Sequence, residues 1–118
     1  AKAFYDKGGL LLVGTDPTGG GGVVPGFANH TEIINLVDGG FKFEEAIKAS
    51  TLHGATYLGR ADRIGTVEPG KQADLVLIAG DPAANVRDMR KVEIVFKEGV
   101  GYDPNKLIDS VRGKAGLY

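Results

Sequence analysis

The sequence predicts an α/β fold, on three observations. An unbroken apolar run, Leu10-Leu11-Leu12-Val13-Gly14, leads into Thr15 and a lone carboxylate, Asp16; this is the pattern of a fully buried strand in a parallel sheet. Apolar residues then recur at helical spacing through residues 31–59. After Gly59 the pattern changes to short runs at 75–78 and 92–97, separated by turns rich in Gly and Pro, which read as strands that pair. In α/β sheets ligands bind at the C-terminal edge of the strands, so Asp16 is the candidate for function.

The elements follow in order. Residues 1–7 read as the last turns of a helix stopped by Gly8-Gly9. A chain opening in mid-helix, without Met or a signal sequence, is expected to be a piece of something larger, the alternative being a trimmed chain with a frayed first helix. The loop from Asp16 to His30 is long for a βα connection, where ~2–6 residues is typical. Its four consecutive glycines suggest a phosphate cradle, but neither a Gly-x-Gly-x-x-Gly nor a Gly-Lys-Ser/Thr is present. Thr31 is placed to cap a helix carrying Ile33, Ile34, Leu36 and Val37, with Gly39-Gly40 as its stop. A second helix begins near Phe43 with Glu44 and Glu45 in its first turn, where the helix dipole favours them. Lys42 is a poor N-cap, so packing is expected to carry that start. Thr51 is placed to cap a third short helix ending at Gly59, on which His53 and Tyr57 sit four apart, a spacing that reads as packing.

Farther on, Glu68-Pro69-Gly70-Lys71 has Pro and Gly at the centre of a type II turn. Asp74 stands at the mouth of strand 75–78, where a carboxylate is expected to bind nearby backbone N–H groups rather than to catalyse. The run 92–96 alternates and meets a turn at 97–99, and Asp103-Pro104 opens a short terminal helix carrying Leu107, Ile108 and Val111.

Composition limits what these elements can do. In 118 residues, 14 Lys and Arg stand against 15 Asp and Glu, so no basic face invites a nucleic-acid partner. No run reaches the ~18 apolar residues a membrane-crossing helix needs, and no membrane partner is expected. The chain has no cysteine, which removes disulfides, thiolate catalysis and Cys-based zinc sites but fits cytosol and periplasm alike. The 19 glycines are more than twice the usual ~7%.

Taken together, Gly14-Thr15-Asp16, Glu44-Glu45-Ala46-Ile47, Ala49-Ser50-Thr51, Gly54-Ala55, Leu58-Gly59, the stretch from Arg63 to Val76 and Gly80-Asp81-Pro82 resemble the C-terminal part of the metal-dependent amidohydrolase superfamily. The closest likeness is to its branch of imidazolonepropionases and prolidase-like carboxypeptidases. The resemblance covers nearly the whole chain and is most specific from Ile64 to Pro82; Lys42-Phe43 departs from the Thr-Pro usual before Glu-Glu. It implies a (β/α)8 barrel holding one or two zinc ions, and a small β-sandwich. Residues 1–60 would be the end of the barrel, with its eighth strand at 10–14; residues 61–101 would be sandwich strands, and 102–118 a terminal helix and tail. It also implies that Asp16 binds the metal and accepts the proton of the attacking water. Thr15 and the loop from Pro17 to His30 would shape the pocket mouth, with His30 either touching substrate or, the more expected of the two, held by backbone contacts. The family's other ligands have no counterpart here: His30 and His53 form no His-x-His, and a catalytic zinc needs three protein ligands.

Two readings result. The first is the C-terminal part of a hydrolase cleaving C–N bonds of amides, cyclic amides or peptide-like substrates, inactive without the N-terminal portion of the same enzyme and open to homo-oligomerisation. The second is a non-catalytic α/β module binding a ligand or partner through its glycine loop. A barrel needs ~250 residues, and a lone piece would expose the flanks of segment 10–14, which favours the first.

Overall fold

A computed structural model describes residues 1–16, 23–24 and 26–114; the expected loop at 17–22, Pro25 and the tail at 115–118 lie outside the described residues. Helix α1 (Lys2–Asp6) stops where the glycines predict. Gly8 takes φ +83°, its N–H reaches the Tyr5 carbonyl at 2.9 Å, and the Gly9 N–H reaches the Phe4 carbonyl at 3.0 Å. These bonds satisfy the last carbonyls of the helix, with glycine at the left-handed position.

Residues 10–14 depart from the expectation of a fully buried strand. They belong to no ladder, and Leu10 and Leu12 are 44% and 39% exposed. The reason is physical: a strand exists through bonds to a neighbour, and the described strands form one separate sheet.

Helix α2 (Phe27–Asp38) begins four residues before Thr31, the expected cap. Gly26, at φ +79°, breaks the chain ahead of it, and the Thr31 hydroxyl donates to the Phe27 carbonyl at 3.4 Å inside the helix. Helix α3 (Phe43–Ser50) starts with more than packing. The Lys42 N–H donates to the Glu45 carboxylate at 2.9 Å, which is half of a capping box; a lysine side chain has no acceptor to complete it. Thr51 makes no side-chain cap to α4 (Leu52–Tyr57); its hydroxyl is turned back into α3, donating to the Ile47 carbonyl at 2.8 Å.

Strands β1 (Leu75–Ile78), β2 (Val92–Lys97) and β3 (Val100–Tyr102) form one antiparallel sheet in the order β1-β2-β3. Val76 faces Val95 and Phe96 faces Gly101 across the ladders, with an irregularity between Leu77 and Ile78. Residues 64–67, implied to belong to the strands, form no strand, with a bend over 64–66, and no second sheet that would make a sandwich occurs among the described residues. A short 3-10 helix (Val86–Arg90) follows β1, and α5 (Pro104–Val111) packs on β2. Asp103 opens α5 as expected, accepting the Asn105 N–H at 2.9 Å.

The core joins the helical and sheet parts. Ile34 of α2 is buried with Val86 and Met89 of the 3-10 helix, and Ile33, Val37, Phe43, Ile47 and Ile78 pack against them. The single buried charge, among the described residues, is Asp88, which accepts from the Asp81 N–H (3.1 Å), the Asn85 amide (3.2 Å) and Lys91 (2.8 Å). Such a group is tolerated because both carboxylate oxygens have hydrogen-bonding partners, one of them a cation.

Asp74 has the structural role expected of it, with partners from farther away. It accepts from Lys97 (2.7 Å), the Glu98 N–H (2.8 Å) and Gln72 (2.9 Å). The β2–β3 turn puts Glu98 at φ +52° and Gly99 at φ +82°, the backbone of a two-residue hairpin turn in which Asn-Gly is usual. The bond from Asp74 offsets the cost of glutamate there. Lys97 and then the Glu98 N–H hold the Asp74 carboxyl below its ordinary range. A depressed pKa contributes stability above the unfolded value, ~4, and loses it as the pH falls through the folded one. Asp74→Asn is therefore expected to lower the urea midpoint at pH 7, and the difference from wild type to shrink as the pH falls below the unfolded value, ~4, and through the lowered folded one. A difference that persists at low pH would assign the effect to packing.

Candidate functional site

The described segment 9–16 carries the candidate residues. Asp16 ends it in the left-handed region at φ +39° and is exposed. Few residues without glycine's freedom adopt that backbone; aspartate is among those that do, and such positions concentrate at functional sites. Thr15, just before it, is half-buried. His30 is not in a loop: it sits in the first turns of α2 and is half-buried.

The other histidine has a role that spacing alone does not reveal. His53 Nδ1 lies 2.9 Å from the carbonyl oxygen of Leu11. A carbonyl can only accept, so Nδ1 carries the hydrogen. The His53 ring also stacks on Tyr5 of α1, with centroids 5.8 Å apart and planes 28° apart. Tyr5 in turn meets Phe41 edge to face at 5.3 Å. Lys2 covers both rings, at 5.6 Å and 5.3 Å from their centroids, and pairs with Asp6 and with Glu45 at 3.4 Å. The Lys42 N–H, and then Lys2, keep the Glu45 carboxyl ionised below its ordinary range. Segment 9–16 is thus seated at its start on α1 and α4. Only the tertiary structure brings them together, since 42 residues separate His53 from Leu11.

Metal-binding capacity follows from the donor set. Asp16 offers a hard oxygen donor of the kind divalent cations accept. No group of three or more His, Cys, Asp or Glu gathers among the described residues, so Asp16, His30 and His53 do not form one ligand cluster. These residues by themselves do not fit a catalytic metal, which takes three protein ligands. The concave surface near Thr66, Glu68, Pro69, Lys71 and Leu75 encloses about 330 Å³. It is a turn-lined groove in which Lys71 is occupied by the Ala61 carbonyl, Thr66 and Glu68.

Comparison with known proteins bears on the same stretch. The sequence profile of the amidohydrolase family matches residues 1–101. The chain is 38% identical over 82 residues to imidazolonepropionase of Clostridium tetani, covering 66% of this chain and 18% of that protein. It is 56% identical over 78 residues to imidazolonepropionase of Porphyromonas gingivalis, again covering 66% and 18%. Among solved structures it resembles a Xaa-Pro dipeptidase with bound methionine in the active site (TM-score 0.76, 30% identity, 86% of this chain and 24% of that one). It also resembles an amidohydrolase from Thermotoga maritima (TM-score 0.70, 33% identity, 86% and 25%). The chain therefore spans about a fifth to a quarter of the length of these relatives.

Proposed function

This chain belongs to the amidohydrolase family, a family of hydrolases in which metal dependence is general, and we propose that it supplies one catalytic carboxylate, Asp16, to an enzyme that cleaves C–N bonds. The observation that carries the reading is the family match over residues 1–101, which takes in Gly14-Thr15-Asp16 at the end of an apolar segment seated on two helices. The substrate class is a small amide, cyclic amide or peptide-like molecule, in keeping with the imidazolonepropionases and the Xaa-Pro dipeptidase it resembles. The N-terminal portion of the same enzyme is the partner that provides the remaining metal ligands. Zinc, as one or two ions, is the proposed metal, and it supplies Lewis acidity to the scissile carbonyl and to water.

The chemistry assigned to this chain is proton handling. A water oxygen adds to the carbonyl carbon, forming a C–O bond; a carboxylate oxygen of Asp16 takes the proton that water loses; the C–N bond breaks, and the same proton passes to the leaving nitrogen. Asp16 is exposed at the end of the segment. Thr15 and His30 stand on either side of residues 17–26 in the chain and are assigned to the substrate side. Chelator dialysis of the complete enzyme is expected to remove turnover of imidazolonepropionate or of a Xaa-Pro dipeptide, and zinc to restore it. Undiminished turnover after verified loss of metal would overturn the proposal.

A further inference from the structure

We infer that His53 is a positioning residue for Asp16: by donating from Nδ1 to the Leu11 carbonyl, it sets the placement along the chain of the segment whose far end is the carboxylate. The inference rests on the catalytic reading of Asp16 given above and extends it to a residue in another element.

Three observations carry it. The first is the bond itself, at 2.9 Å between a half-buried ring on α4 and a backbone atom 42 positions earlier. It is directional, and it grips the main chain rather than a side chain, so it fixes where the segment lies whatever its side chains do. The second is that the ring is held from its other side. Tyr5 stacks on it, and Tyr5 is braced by Phe41 and covered by Lys2. An imidazole free to turn could not set a register; this one is stacked on Tyr5 along one face and hydrogen-bonded at Nδ1. The third is that α4 is itself anchored, through α3, which packs against it, and through the close approach of Gly65 to Leu52 and Ala55.

The consequence is mechanical. A displacement at Leu11 passes along the main chain toward Asp16, and a misplacement of ~1 Å at a catalytic group can cost about a hundredfold. Asp16 lies five residues beyond the anchored carbonyl and turns sharply into its left-handed backbone. A shift of the segment would move the carboxylate against groups contributed by other parts of the enzyme without unfolding anything.

Two substitutions separate the donor from the ring. His53→Phe keeps a ring to stack on Tyr5 and removes the donor. His53→Asn removes the ring and keeps an N–H at nearly the place of Nδ1, because the asparagine amide nitrogen is the same number of bonds from Cα. In the complete enzyme, His53→Phe is expected to lower kcat about tenfold with KM changed less than about twofold, and His53→Asn to recover most of the loss. Amide hydrogen exchange followed by mass spectrometry supplies a readout apart from activity: peptides covering residues 10–16 should exchange several-fold faster in His53→Phe, while those covering β1 to β3 stay unchanged, and His53→Asn should restore protection. Should His53→Phe fail to fold, His53→Ala serves as the donorless variant. Unchanged exchange over 10–16 in the donorless variant, or His53→Asn as impaired as His53→Phe, would overturn the inference. Faster exchange there with Asp16→Asn still active would instead overturn the catalytic reading of Asp16 and leave the anchoring in place.

Discussion

Replacing Asp16 with Asn in the complete enzyme is expected to lower kcat by at least ~10³-fold, about 4 kcal/mol in the barrier. The substitution is a clean one for this position. Asparagine has the shape of aspartate and, like it, adopts the left-handed backbone that Asp16 requires at φ +39°. What it lacks is the negative charge and the basic oxygen. Folding should therefore be intact, with an unchanged circular dichroism spectrum and thermal midpoint, while proton transfer from water fails. Near-normal turnover in Asp16→Asn would remove Asp16 from the chemistry.

Gly65→Ala is expected to destabilise the protein by ~3 kcal/mol, seen as a thermal midpoint lower by several degrees. Two costs combine. Gly65 sits at φ +98°, where a side chain costs roughly 1–2 kcal/mol. The added methyl would stand 2.7 Å from the Ala55 Cβ and 3.1 Å from the Leu52 Cα, and overpacking of this kind costs about 1–3 kcal/mol. The nearer obstacles are a helix backbone and a buried alanine, neither of which can swing aside. Gly40→Ala is the control. Gly40 has a similar φ of +94° with nothing within 4 Å of the added carbon, so it should show only the backbone part. Equal midpoints for the two variants would mean that contact with α4 contributes nothing.

Gly65 shows where sequence reading stops. Its neighbours Ile64, Thr66 and Val67 suggest a lead into the turn at Pro69-Gly70, and that turn forms, with Gly70 at φ +88° and the Lys71 N–H on the Glu68 carbonyl at 3.2 Å. The approach of Gly65 to α4 depends on two segments ten residues apart lying against each other, and nothing local signals it. The start of α2 is a similar case. Thr31 has the residue type of a cap, but Gly26 and the helical run from Phe27 place the beginning earlier and take His30 into the helix. The 3-10 helix Val86–Arg90 carries two of the three residues at the centre of the core. It is too short to show a period, so Val86 and Met89 pass unnoticed in the sequence.

The candidate site divides in the same way. Asp16 is legible because a lone carboxylate at the end of an apolar run is a local pattern. Its left-handed backbone, the seat of its segment on α1 and α4, and the grip of His53 on Leu11 are not, because each depends on contacts between distant residues. The spacing of His53 and Tyr57 suggests that the pair packs, yet Tyr57 is 70% exposed, and it is His53 alone that packs, on Tyr5, far behind in the chain.

By itself, then, the sequence determined what one or two turns of chain decide: the stop of α1 at Gly8-Gly9, the Asp103 cap, the turn at Pro69-Gly70, the pairing of 75–78 with 92–97, and the family to which Asp16 belongs. Capping bonds, glycine backbones and residue periodicity act over a few residues, and so they can be read in order. Only the tertiary structure decided that Asp74 serves the Lys97–Glu98 turn, that the core runs through a 3-10 helix, and that a histidine on α4 holds the segment ending in Asp16. Those outcomes rest on hydrogen bonds and close approaches between residues far apart in the chain, whose geometry exists only once the elements have packed.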